Sequence, residues 1–192
     1  ADPGTTTNDI TPTWAWTAEA SAAITCRIDK GAAEIADWAA CASPTTYDLS
    51  GKGDGDYTFS VRATDAAANP GAIRTFTMTL DTAAPAAPSI TGTPPADGSD
   101  TTPTWTFGDV SGATVECQIS RGATVVDPWT GCAATKTYDL SGQDGTYTFA
   151  VRARDAAGNE SASTSTYRLD TAPPAAPTIG TEPPAAGNAT SP

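Results

Sequence analysis

"DYTFSVRATDAAANP", residues 56–70, returns as "TYTFAVRARDAAGNE", residues 146–160. A phrase of this length does not recur by accident, and the rest of the chain keeps the same step. Trp14 and Trp105, Cys26 and Cys117, Trp38 and Trp129, Cys41 and Cys132, and Tyr47 and Tyr138 each lie 91 residues apart. The step shortens to 90 for Tyr57 and Tyr147 and to 89 for Asp81 and Asp170, as single-residue deletions in loops would produce. Two copies of a unit of about 90 residues therefore fill the chain. That size suits a domain with its own small core, whereas solenoid units run to about 20–45 residues.

Composition narrows the class. Gly (17) and Pro (16) are frequent among the 192 residues, charged residues make up only 17%, and no long Leu/Glu/Lys helical pattern is present. Short Thr/Val/Tyr/Phe runs broken by Gly, Pro and Asp read as β-strands and turns. In the second unit the expected strands are residues 87–91, 103–107, 113–120, 123–126, 136–140, 146–155 and 165–170. In the strand 146–155, Tyr147, Phe149, Val151 and Ala153 alternate onto one face, which leaves Arg152 and Arg154 directed to solvent. Trp105 and Phe107, like Trp14 and Trp16, alternate inward as core. Seven strands with two-sided alternation make an all-β sandwich of two antiparallel sheets in each unit.

Each unit has two cysteines, Cys26 with Cys41 and Cys117 with Cys132, both 15 apart. With no His in the chain, two cysteines per unit are too few for a tetrahedral zinc site. One disulfide within each unit is the expectation, with buried free thiols as the alternative. Bridges place the protein in an oxidising compartment, secreted or at a cell surface.

The unit resembles the fibronectin type III and bacterial Ig-like superfamily. Trp105, "LSGQDGTYTFAVRARDAAGNES" (140–161) and "DTAPPAAP" (170–177) carry the likeness, and the spacing from Leu140 to Tyr147 is similar to a tyrosine corner. The first unit matches at Leu49, Tyr57 and "DTAAPAAP" (81–88), but has Ala68 where the second has Gly158, so a distorted loop is expected there. More narrowly, the units resemble tandem Ig-like repeats of actinobacterial surface proteins. The resemblance divides the chain into Ig-like domain 1 (1–84), its first strand in doubt, Ig-like domain 2 (85–173), and residues 174–192 as a linker and the first strand of a following repeat.

The resemblance implies one candidate metal site, calcium at domain junctions, held by oxygen donors as that ion requires. The residues in question are Asp65, Asn69 and Asp81, with Asp97 or Asp100 reaching over, and Asp155, Asn159 and Asp170. Asx turns and loop capping are the competing explanation for the same acids. No cofactor is required by either reading. Trp38 and Trp129, three residues before the second cysteine of each unit, are candidate platforms for a sugar ring or a protein partner, or else covers for the adjacent bridge.

Other chemistries are poorly served. Without His there is no Ser–His or Cys–His pair, and no Gly-rich phosphate loop follows a strand. A net charge of −12 disfavours nucleic acid, and no apolar run approaches the ~18 residues of a membrane span. The polar start and partial frame read as a piece of something longer.

The linkers "DTAAPAAP" and "DTAPPAAP" are Pro-rich, semi-rigid spacers. They point to a non-catalytic stalk of an adhesin-like bacterial protein, about 35–45 Å per unit. The alternatives are a recognition module for a glycan or host protein, and an accessory domain of a secreted hydrolase. The expected partners are neighbouring repeats. Self-association is a further expectation, because "APTIG" (176–180) duplicates the first strand "APSIT" (87–91) while the head of the chain has no counterpart. The first unit then has six strands, or is edged by residues 4–10.

Overall fold

The computed structural model describes residues 4–108 and 110–180. It is all β, and among the described residues no helix is long and apolar enough to cross a membrane. The first repeat contains β1 (Thr6–Thr7), β2 (Thr13–Trp14), β3 (Ala23–Lys30), β4 (Ala33–Ala40), β5 (Thr45–Thr46), β6 (Gly55–Thr64) and β7 (Arg74–Leu80). The second contains β8 (Ile90–Gly92), β9 (Asp97–Gly98), β10 (Thr104–Phe107), β11 (Thr114–Arg121), β12 (Thr124–Gly131), β13 (Thr135–Thr137), β14 (Gly145–Arg154) and β15 (Glu160–Leu169). Residues 181–192, the greater part of the expected following linker and strand, lie outside the described residues.

Each repeat packs a five-stranded sheet against a smaller one. The large sheets have the order β1-β7-β6-β3-β4 and β12-β11-β14-β15-β9; the small ones are β2-β5 and β8-β10-β13. The alternation in the opening phrase is what closes them. Tyr147, Phe149, Val151 and Ala153 of β14 are all at most 1% exposed. Phe149 stacks on Trp105 of the opposite sheet at 5.0 Å, and Phe59 on Trp14 at 4.8 Å. Leu140 and Leu49 complete the two cores, which share no member.

Local chemistry fixes the ends of the strands. The Tyr147 hydroxyl donates to the carbonyl of Gln143, and that of Tyr57 to Gly53, so both corners form as the spacing implies. In the second repeat the Tyr167 hydroxyl also donates to the Asp100 carbonyl at 2.7 Å. Gly98 makes room for it, since a Cβ there would stand 3.0 Å from that oxygen. The first repeat has Met78 and Thr7 at these two places and no such bond.

Disulfides join Cys26 to Cys41 and Cys117 to Cys132, one per repeat. Cys26 and Cys117 are fully buried on β3 and β11, and their partners follow β4 and β12 just before the chain crosses to the small sheet.

Several expectations need correction. Residues 123–126 are only the start of β12, which runs to Gly131 as the sheet's outer strand, where Pro128 is tolerated. The two-residue strands β1 and β9, each parallel to the last strand of its repeat, were not anticipated as separate elements; β1 does fall within residues 4–10. Arg152 does not point to open solvent. It lies across the sheet from Glu116, bonded to it at 2.7 Å and to Glu160 at 3.0 Å.

The loop carrying Ala68 is not distorted. Ala68 adopts a φ of 67°, in the same left-handed region as Gly158 at 95°. Its loop keeps the bond from Asp65 N–H to the Asn69 carbonyl at 3.1 Å, as Asp155 keeps its bond to Asn159.

Candidate functional site

The place where the repeats touch is built from the loop after β14. There the Asp155 carboxylate accepts from the backbone N–H groups of Gly158 (2.8 Å) and Asn159 (2.9 Å), and from the Asn159 side chain at 3.0 Å. An Asp followed by three small residues and Asn folds this way because one carboxylate can satisfy a tight turn's otherwise unpaired amides. The turn aims Asn159 away from its own sheet. Its Nδ2 donates to the backbone carbonyl of Asp81 at 2.9 Å, and its Oδ1 accepts from Asn8 at 3.1 Å. Both N–H groups of that amide are used, and its oxygen accepts one bond.

The linker's entry is also pinned. Asp81 N–H bonds the Thr7 carbonyl at 3.0 Å, and the Asp81 carboxylate caps Ala83 N–H. Thr82 Oγ1 donates to Asp54 at 2.8 Å. The second repeat reproduces each contact at its own exit: Asp170 to Gly98, Ala172 to Asp170, and Thr171 to Asp144 at 2.8 Å.

The first repeat's loop has the same interior. Asp65 accepts from Ala67, from Asn69 N–H and from the Asn69 side chain. The side-chain bonds from Asn69 and Asn159 are the main reason the carboxyl groups of Asp65 and Asp155 lie below their ordinary pKa.

A second feature occupies the outer face of each large sheet. The Arg62 guanidinium lies over the Trp38 ring, 4.3 Å from its centre, and Arg152 lies over Trp129 at 4.4 Å. Both tryptophans are half-buried. Arg152 is held in that position by Glu116 and Glu160, and Arg62 by Thr25 Oγ1 at 3.1 Å. Stacked cation and ring hide one face of each indole.

A model of the bacterial Ig-like domain matches residues 2–82 and again residues 84–171. The chain belongs to the bacterial Ig-like domain family. In sequence it is 31% identical over 179 residues to chitinase A1 of Niallia circulans, covering 88% of this chain and 24% of that protein. The chain thus spans about a quarter of that relative's length. In structure it resembles the fibronectin(III)-like modules of CbhA from Clostridium thermocellum (TM-score 0.53, 11% identity, 85% of this chain and 87% of that one). It also resembles the FN1–FN3 domains of chicken CNTN1 (TM-score 0.50, 12% identity, 85% and 61%). At such identities the likeness is one of fold.

In this bacterial Ig-like pair the residues named for calcium are drawn together only in part. Asp155, Asn159 and Asp81 meet, but Asp81 offers Asn159 its backbone oxygen while its carboxylate caps its own turn. Asp97 faces Arg168 at 3.6 Å, and the Asp100 carboxylate is bonded to Thr102. Among the described residues no three acidic or cysteine side chains are grouped so that they could hold a metal ion. The Asp65 and Asp155 carboxylates each accept three hydrogen bonds from their own loops.

The residues that sequence reading missed are Asn8, Asp54, Thr82, Asp144 and Thr171. The last four were visible as a second duplication: "DG" before the long strand and "DT" after the last one occur in both copies.

Proposed function

We propose that this bacterial Ig-like pair is a non-catalytic spacer, a stalk segment of a secreted or cell-surface bacterial protein that holds other domains apart. The observation that carries the reading is the joint. The two cores share no residue, yet the linker's first residues are bonded to their own repeat through Thr82 and Asp54, and the next repeat grips Asp81 through Asn159. An unrestrained tether would need neither contact. Disulfides in both repeats suit an oxidising exterior. Adhesin-like parents are one natural setting for such a stalk.

Small-angle scattering tests the reading. The expected maximum dimension is about 80 Å, twice the span of one repeat of strands up to ten residues long with their loops. Replacing residues 83–88 with Gly and Ser at the same length should broaden the distance distribution. A native chain as variable as the Gly/Ser chain would end the spacer reading.

The similarity to chitinase A1 favours a second reading, an accessory domain of a secreted polysaccharide hydrolase. Trp38 and Trp129 are then the sugar-facing rings. Retention on insoluble chitin that is lost in Trp38→Ala and Trp129→Ala would establish it. No retention by the native chain would reject it.

A further inference from the structure

The large sheet of the second repeat holds its ring and cation more firmly than the first repeat does. Trp129 lies on β12 and Arg152 on β14, with β11 between them. The guanidinium reaches across that whole strand to lie over the indole at 4.4 Å. Two carboxylates fix it there. Glu116 of β11, its cross-strand partner, bonds it at 2.7 Å, and Glu160 of β15 at 3.0 Å. The Arg152 side chain is only 19% exposed.

The first repeat has Thr25 and Pro70 where these glutamates stand. Arg62 keeps its place over Trp38 with the Thr25 hydroxyl as its hydrogen-bond partner. Asp29, Glu34 and Asp37 gather instead on Arg27, three acids about one cation. In the second repeat Gln118 replaces Arg27 and Pro128 replaces Asp37. There Arg152 and Arg154 balance Glu116 and Glu160.

A guanidinium clamped by two carboxylates has little freedom to swing away, and it holds the ring it covers in one position. An indole ordered in advance gives up less freedom when a ligand stacks on it. A sugar ring offers such a surface its apolar C–H face. Balanced local charge suits an uncharged sugar, whereas the net charge of −12 repels an acidic one.

We propose that Arg152 is a positioning residue that presents Trp129 as a preformed stacking platform for an uncharged polysaccharide, with Trp38 the weaker of the two rings. The proposal rests on the reading of this pair as an accessory domain of a polysaccharide hydrolase. Arg152 sets the ring, and the ring meets the sugar.

Fluorine NMR of the intact chain labelled with 5-fluorotryptophan tests it. Each of the five indoles gives one resonance, and Trp129→Phe and Trp38→Phe assign the two that matter. Chitohexaose should shift the Trp129 resonance at a lower concentration than the Trp38 resonance, and an acidic oligogalacturonate should shift neither. Without sugar, Arg152→Gln should move the Trp129 resonance and leave that of buried Trp105 in place, the sign of an intact fold. The same change should weaken chitohexaose binding about tenfold, the scale of a well-shielded cation–ring contact. Arg152→Lys, which keeps a cation over the ring, should restore most of the affinity. Arg154→Gln, at a neighbour whose side chain is 52% exposed, should alter neither the resonance nor the binding. A native chain whose resonances chitohexaose does not move ends the accessory reading and the proposal with it. A native chain that binds, beside an Arg152→Gln variant that binds equally well with its Trp129 resonance unmoved, leaves that reading standing and overturns the positioning role. A Trp38 resonance that responds first, or an equal response to oligogalacturonate, overturns the choice of ring or of sugar.

Discussion

The side-chain amide of Asn159 donates to the backbone carbonyl of Asp81 at 2.9 Å, tying a loop of the second repeat to the last turn of the first. Asn69 is its counterpart, with the same bond inside its own loop and none to another repeat. The pair is a built-in control. Asn159→Ala and Asn69→Ala should each cost about 1 kcal/mol through the loop bond. Only Asn159→Ala should speed proteolytic cleavage between residues 82 and 89. Equal cleavage rates would show that the joint bond does not restrain the linker.

Ser21 and Ala68 have φ values of 74° and 67°, and they stand where the second repeat has Gly112 and Gly158. Left-handed backbone costs a residue with a Cβ about 1–2 kcal/mol, part of which glycine returns through its freer unfolded chain. Ser21→Gly and Ala68→Gly together should raise the melting temperature of the first repeat and leave the second unchanged. Calorimetry on the intact chain resolves the two.

Each disulfide closes a loop of 15 residues. Constraint of the unfolded chain on that scale is worth about 3 kcal/mol. For domains of this size that corresponds to a fall in Tm of roughly 12–24 °C. Cys117→Ser with Cys132→Ser should lower only the second repeat's transition by that amount. A fall of a degree or two would mean the core alone carries the fold.

Asp48, Asp65, Asp139 and Asp155 all titrate below their ordinary 3.8, held there first by side-chain bonds from Ser50, Asn69, Ser141 and Asn159. The folded protein therefore binds fewer protons at these sites than the unfolded chain does. Their contribution is present above about pH 4 and is lost as pH falls through the lowered values. At the other limit, burial raises Tyr57, Tyr138 and Tyr167 above 10.0. The stability this reflects is present below about pH 10 and is lost as pH rises further. Melting temperature should be level between these limits and fall outside both. Tyrosinate absorbance from these three should appear only as the chain unfolds.

Asp65 and Asp155 each already accept three hydrogen bonds within their own loops. Melting curves in excess EDTA and in millimolar calcium should coincide. A calcium-dependent rise would show that the loops reopen to bind the ion, because a ligand taken up only by the folded state must raise its stability.

Much of this architecture was legible because it is written twice. The shared step located both repeats, both sulfur pairs and both tyrosine corners, and the alternation over residues 146–155 recovered β14 almost residue for residue. The strands β1 and β9 were not legible because two residues cannot display a period, and Thr-Thr and Asp-Gly carry no apolar stripe. Arg152 misled for a different reason. Alternation gives the face of a strand but not what lies across it, and Glu116 and Trp129 come from neighbouring strands. At the joint, the sequence directed attention to the carboxylate of Asp81, while the atom that Asn159 holds is a backbone oxygen that any residue would supply.

The parallel pairing of β1 with β7, and of β9 with β15, gives each repeat a defined mechanical character. The chain arrives at one end of this clasp and departs from the other. A pull on both termini therefore slides the two strands along each other. The bonds Thr79–Thr5 and Asp81–Thr7, like Arg168–Ala96 and Asp170–Gly98, must yield together and not in succession.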